Sequence, residues 1–144
     1  IVKIISAMIY SGEGVEQVYE GEYNAAGERE GYGTMRLANG DVYEGQWKGG
    51  QHEGRGTERY AEGDVYEGQW KEGKKEGRGT YRYADGAVKV GFFKAGKEAG
   101  EGVMWIENGQ RAARMRDGEF VEEISLEEAR RIAAEHGLPL PEGR

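Results

Sequence analysis

Two histidines, three evenly spaced threonines and a series of paired glycines are the residues of this 144-residue chain whose types invite a chemical reading. Nucleophilic catalysis needs a hydroxyl or thiol beside a base, with the base oriented by a third group. His52 falls in a glycine-rich hairpin loop and His136 at the end of a predicted helix, and neither has a Ser or Asp partner in the sequence. Both read as solvated side chains. Thr34, Thr57 and Thr80 recur every 23 residues, which marks a repeated strand position and not a nucleophile. The glycine pairs look like a phosphate loop only superficially, because no Gly-Lys-Ser/Thr follows and no long helix starts there. The acidic residues show no EF-hand spacing. With no cysteine in the chain, thiolate metal sites, thiol nucleophiles and disulfides are excluded. The expectation is a chain with no catalytic residues, no cofactor and no metal.

Composition narrows the classes further. Glycine is abundant at 26 residues, Leu, Ile, Val and Phe are scarce, and nine tyrosines and three tryptophans are present. A large aliphatic core is therefore not available, and a flatter architecture is required. The net charge of -7 argues against nucleic acid, which needs a basic footprint. No run of about 18 apolar residues exists. The opening Ile1–Ile9 stretch is apolar but too short to span, and it lacks a signal-peptide cleavage pattern. A start at Ile1 and not at Met reads as a fragment or a processed chain.

The elements come from a period. Gly31, Gly54, Gly77 and Gly100 are 23 apart, as are Gly33, Gly56, Gly79 and Gly102, and Gly40, Gly63, Gly86 and Gly109. Gly21, Gly45, Gly68 and Gly91 step by 24, 23 and 23, which places one extra residue in the first hairpin loop, within Asn24–Glu30. The central copies are nearly identical: Val42-Tyr43-Glu44-Gly45-Gln46-Trp47-Lys48 against Val65-Tyr66-Glu67-Gly68-Gln69-Trp70-Lys71. Each copy reads as two short strands around a loop (Gly49 to Glu53 in the second), closed by Asn39-Gly40, Glu62-Gly63, Asp85-Gly86 and Asn108-Gly109 turns. With side chains alternating at period two, Tyr43, Gly45 and Trp47 share a face with Gly54, Gly56 and Tyr60. Val42, Glu44, Gln46, Lys48, Arg55, Thr57 and Arg59 take the other. Aromatic rings lying on glycines would bury apolar surface without aliphatic residues. If Tyr60 faces Tyr66, then Arg59 faces Glu67 and Arg36 faces Glu44, so charged cross-strand pairs support the ladder, while Arg82 faces Val90 and marks the fourth repeat as different.

The pattern Tyr-Glu-Gly-x-Trp-x-x-Gly, followed by Gly-x-Gly-Thr and a closing acidic-Gly or Asn-Gly turn, resembles the MORN repeat (membrane occupation and recognition nexus). The first copy has Tyr23 in place of Trp. The fourth has Lys89 in place of Tyr and Phe93 in place of Trp. Glu30, Glu53, Glu76 and Ala99 stand where the family usually places a basic or polar residue. The resemblance implies an all-β repeat fold: an elongated, single-layer antiparallel sheet of β-hairpins, curved into a shallow trough. At about 4.8 Å per strand the eight strands of four repeats would span about 35–40 Å.

The organisation expected is residues 1–17 as an N-terminal strand or partial repeat, 18–110 as four repeats, 111–123 as a terminal strand segment and 124–144 as a capping helix and tail. Ser6–Tyr10 aligns with Gly33–Leu37. In the fourth copy the formerly polar face becomes apolar (Val88, Val90, Phe92, Val103, Trp105) and needs a cover. Ser125-Leu126-Glu127-Glu128 is a capping box, so a helix over about 126–136, ending at Gly137, supplies it. Its stripe of Leu126, Ala129, Ile132 and Ala133 should place Leu126 and Ile132 on Phe92 and Trp105.

For function, the leading expectation is a non-catalytic scaffold binding a protein partner, an extended or helical segment or a multi-subunit complex. Tyr43, Trp47, Tyr60, Tyr66, Trp70 and Tyr83 would line the partner groove. The resemblance implies cytoskeletal, ciliary or membrane-proximal assemblies and an intracellular, cytoplasmic place. It also implies two alternatives, a module binding phosphoinositide or phosphatidic acid and the repeat segment of a larger enzyme. Lys48, Arg55, Arg59, Lys71, Arg78 and Arg82 would serve the lipid reading, but Glu44, Glu53, Glu67 and Glu76 interleave with them, which disfavours a membrane.

Overall fold

Every strand among the described residues pairs with the strand next to it in sequence, so they form one open sheet. The computed structural model describes residues 3–11 and 14–142, with side chains from Gln17 to Glu142. The strands are β1 (Lys3–Ser11), β2 (Gly14–Tyr23), β3 (Arg29–Leu37), β4 (Val42–Lys48), β5 (Gln51–Arg59), β6 (Val65–Lys71), β7 (Lys74–Arg82), β8 (Val88–Lys94), β9 (Lys97–Ile106), β10 (Arg111–Arg116) and β11 (Glu119–Ile124). They form an 11-stranded sheet in that order, with a 3-10 turn at Glu107–Gly109 before β10 and the α-helix α1 (Leu126–Glu135) after β11.

Two kinds of turn alternate. The first repeat uses residues 24–28, whereas within the second, third and fourth repeats the connection is two residues long, Gly49-Gly50, Glu72-Gly73 and Ala95-Gly96, as is Asp117-Gly118 beyond the repeats, all at positive φ. Such turns match the right-handed twist of the strands they join. The predicted loop over Gly49–Glu53 is therefore shorter than expected, and Gln51, His52 and Glu53 belong to β5. Between repeats the loop has three residues: Gly40 N–H donates to Leu37 O (3.0 Å), Leu37 N–H donates to Asp41 O (2.9 Å), and Tyr60 and Asp64 repeat the pattern. That closure sets Arg59 opposite Val65, Arg36 opposite Val42 and Arg82 opposite Val88. The expected Arg59–Glu67 and Arg36–Glu44 pairs do not face each other, because Thr57 and Thr34 stand opposite those glutamates, as Thr80 does opposite Val90.

The glycines of each Gly-x-Gly have different tasks. Gly54 (φ +68°) lies in a bulge where the ladder jumps from Gly45–Gly56 to Trp47–His52. Gly56 has ordinary φ but lies under the Tyr43 ring, where a Cβ would collide with the phenol. The bulge interrupts the ladder near Gln46, and Tyr43 Oη donates to Gln46 O at 2.8 Å. Tyr19 and Tyr66 do the same with Glu22 O and Gln69 O. Ring, glycine and bulge thus form one unit, repeated along the sheet.

Glu30, Glu53 and Glu76 stitch neighbouring repeats. Their carboxylates accept from the turn amides of Gly49, Glu72 and Ala95 at 3.0–3.2 Å. Asp41 and Asp64 do likewise for Ala61 and Ala84 at 2.8 Å. At the start of the array β1 pairs with β2, but its register places Ala7 opposite Tyr19 and Ile5 opposite Gly21. Met35 is opposite Tyr43 and Gly33 opposite Gly45, so Ala7, and not Met8, stands in the place of Met35. The alignment of Ser6–Tyr10 is off by one. β1 has no glycine to pair with Gly21, and its register shifts between Ile9 and Tyr10.

At the other end, Val88, Val90, Val103 and Trp105 are buried with Ala112, Ala129, Ile132, Ala133 and Leu138. Ser125 Oγ accepts from Glu128 N–H at 3.0 Å and caps α1. Gly137 (φ +65°) ends it, with Leu138 N–H donating to Ala133 O (2.7 Å) and Gly137 N–H to Ala134 O (3.2 Å). This Schellman closure turns the chain back so that Leu138 enters the core.

Candidate functional site

The aromatic face is built in rows that run across the strands. Tyr19, Tyr43 and Tyr66 form one row, and Tyr23, Trp47, Trp70 and Phe93 the next. Rings of the two rows meet edge to face, within a repeat (Tyr43–Trp47 5.1 Å, Tyr66–Trp70 5.3 Å) and between repeats (Tyr19–Trp47 5.4 Å, Tyr43–Trp70 5.4 Å, Tyr66–Phe93 5.1 Å). This arrangement opposes ring edge to ring face, the favourable quadrupole geometry. The Trp47 and Trp70 indole N–H groups donate to Gly33 O and Gly56 O. Burial raises the phenol of Tyr19 to about 12 and those of Tyr43 and Tyr66 higher still.

A third row carries Arg29, His52, Lys75 and Glu98, one per repeat. Arg29 lies over Trp47 at 5.0 Å and Tyr19 at 5.8 Å. His52 is stacked on Tyr43 (3.6 Å, 3° between planes) with the edges of Trp47 and Trp70 at 4.7 and 4.9 Å. Burial, with the Arg29 charge beside it, lowers its imidazole to about 4. His52 is therefore not the solvated loop residue expected. The two-residue turn starts β5 earlier and drives the ring into the aromatic rows. His136 is exposed at the end of α1, its ring 6.4 Å from Phe92.

Lys75 sits among five rings, with Tyr66 at 5.0 Å, Tyr60 at 5.5 Å, and Trp70, Tyr81 and Phe93 within 6.0 Å. Its Nζ donates to Tyr60 Oη (2.9 Å), which donates to Glu58 Oε1 (2.9 Å). Burial lowers the Lys75 ammonium, against the pull of Glu58 and Glu98. In the fourth repeat Lys89 replaces the ring-bearing tyrosine and pairs with Glu98 at 2.9 Å, which ends the aromatic relay.

Of the six residues expected to line a groove, four are core. Tyr43 is 3% exposed, Trp47 4%, Tyr66 0% and Trp70 6%. The rings cover one another, so the sheet face packs like an interior. Tyr60 and Tyr83 remain half-buried, and Tyr81, at 4.7 Å from Tyr83 and 6.1 Å from Tyr60, joins them. Leu37, Tyr60, Tyr83 and Ile106 stand one repeat apart, each just before an inter-repeat turn, and all are half-buried. Their 23-residue spacing is legible in the chain. Beside this row a cleft of about 280 Å3 is lined by Arg29, Leu37, Asp41, Trp47, His52 and Glu58, among others.

The four residues expected at the cap are divided. Phe92, Trp105 and Ile132 meet in the C-terminal core. Leu126 is 40% exposed and does not pack there. It lies in the first turn at the flank of the stripe, and Ile124 and Leu138 supply the contacts instead. Among the described residues no group of three or more His, Asp or Glu is placed to hold a metal ion. None of their helices is long and apolar enough to cross a membrane.

Fold and face together define a β-hairpin repeat array whose units are held by aromatic rings seated on glycines. A MORN-repeat profile matches residues 19–42, 43–65, 66–88 and 90–111, and the chain belongs to the MORN-repeat family. Over 30 residues it is 60% identical to the radial spoke head 1 homolog of Mus musculus, a stretch that is 21% of this chain and 10% of that relative. The chain thus spans a small part of the curated relative it matches. Among solved structures, the TCP domain of SAS-4 (dCPAP) of Drosophila melanogaster is 14% identical, covering 86% of this chain and 90% of that one at a TM-score of 0.26.

Proposed function

We propose that the chain is a non-catalytic MORN scaffold whose half-buried row of Leu37, Tyr60, Tyr83 and Ile106 receives a protein partner within a larger assembly. The observation that carries this reading is the row itself. Its side chains keep apolar surface open on a face where Tyr19, Tyr43, Trp47, Tyr66, Trp70 and Phe93 are sealed, and tyrosine in such a place is a favoured anchor. The short likeness to a radial spoke head protein supports a ciliary assembly, and with it an intracellular, non-enzymatic role. The test is photo-crosslinking in cells from position 60, with position 57 on the opposite face as reference. A protein adduct from position 60 alone is the expected result. No adduct from position 60, or saturable headgroup-selective sedimentation with anionic vesicles at about 0.15 M salt, would replace this reading.

A further inference from the structure

The inter-repeat turns beside the row are acidic. Residues 38–41, 61–64 and 84–87 carry Asp41, Glu62, Asp64 and Asp85 and no lysine or arginine. The opposite rim, around the two-residue turns, mixes both signs: Lys48, Lys71, Lys74, Lys94 and Lys97 stand with Glu72, Asp117 and the carboxylates of Glu30, Glu53 and Glu76 that accept from the turn amides. The turns without a lysine or arginine are thus the ones beside the apolar row.

The row has a pitch. Leu37, Tyr60, Tyr83 and Ile106 are each two strands apart, which is about 9.4–9.8 Å. The Asp41–Ala61 and Asp64–Ala84 bonds hold successive turns at that spacing. A segment lying along the row must present the same side at the same interval to use every repeat. A β-strand returns to one face every two residues, about 6.7 Å, and after three residues faces away. An α-helix returns after two turns, about 10.8 Å, and loses register over three repeats. A polyproline II helix has three residues per turn and rises about 3.1 Å per residue, so it returns every 9.3 Å.

We infer that the row is the seat of a partner segment in the polyproline II conformation with a basic residue at every third position. Two positions of each turn pack between Leu37, Tyr60, Tyr83 and Ile106, and the third reaches the carboxylates of the adjoining turn. The inference rests on the proposed role of the row and adds the partner's conformation, period and charge to it.

The experiment titrates the isotope-labelled 144-residue chain with peptides and follows its amide resonances. (Pro-Pro-Arg)5 should saturate shifts at Tyr60, Asp64 and Tyr83, weakening as salt rises. A peptide with five arginines at every fourth position should bind about tenfold more weakly, as should Tyr83→Ala, whose side chain is half-exposed and whose thermal midpoint should hold. Equal binding of the period-four peptide, saturation by (Pro-Pro-Glu)5, or no saturable shift with (Pro-Pro-Arg)5 overturns the inference. If an arginine-matched helical peptide shifts the row where (Pro-Pro-Arg)5 does not, the docking role of the row survives and the conformation proposed for its partner falls. If neither peptide binds and position 60 crosslinks nothing, both fall.

Discussion

His52 shows how much one residue's setting departs from its local sequence. Its neighbours are Gln51, Glu53 and two glycines, a polar run that reads as loop. The two positive-φ glycines spend only two residues on the turn, and the imidazole then stacks on Tyr43 between two indoles. An imidazole lowered to about 4 in the fold is neutral there, while in the unfolded chain it protonates near 6.5. Below that unfolded value the unfolded state binds the extra proton, so this part of the stability is complete above about 6.5 and is lost as pH falls toward 4. The Tm of the native chain should therefore fall more steeply between pH 7 and 5 than that of His52→Phe, which keeps a flat ring and no proton. Parallel pH profiles by circular dichroism would contradict this placement of the ring.

At the scale of elements, the C-terminal cap divides predicted from observed contacts. The capping box, the helix and its end at Gly137 were legible, because each depends on residues within a turn of one another. Which side chain of α1 reaches Phe92 was not, since that follows from how the helix axis lies over β8, β9 and β10. Leu126 remains in solvent, and Ile132 and Leu138 are 5% and 6% exposed. Ile132→Ala and Leu138→Ala should each cost about 2–4 kcal/mol, whereas Leu126→Ser should stay within about 0.5 kcal/mol. Urea unfolding of the three variants checks the order, and a loss from Leu126→Ser equal to the others would mean that the helix is rotated. Arg82, whose guanidinium donates to Pro141 O at 2.7 Å, ties the tail after α1 back to the third repeat.

In the whole molecule each repeat touches only its neighbours, so stability accumulates from unit to unit and the last unit needs a cover. α1 and its tail cover one face of the fourth repeat, while β11 remains an exposed edge bearing Phe120 at 66% and Val121 at 47% exposure. Removing residues 124–144 should uncover Val88, Val90, Phe92, Val103 and Trp105, and promote association, while the Tyr43–Trp70 relay keeps its near-ultraviolet circular dichroism. Light scattering and the aromatic spectrum measure the two effects separately. A truncated chain that stays monodisperse would show that the fourth repeat does not depend on the helix.

The repeat, its hairpins, the glycines beneath the rings and the presence of a terminal helix were all determined by sequence, because each is encoded by spacing within about one repeat. Strand register between repeats was decided by turn closure: one hydrogen bond from Tyr60 to Asp64 moves every cross-strand pair by one residue on each side. Which aromatic residues are core and which face outward was decided by the tertiary structure alone. Tyr43, Trp47, Tyr60, Tyr66, Trp70 and Tyr83 share a type and a face, but burial of the first, second, fourth and fifth comes from rings that neighbouring repeats bring over them. Tyr43 meets Trp47 of its own repeat and Trp70 of the next, and the second contact forms only once the strands of two repeats stand side by side, a distance that is not written in the order of residues within one copy.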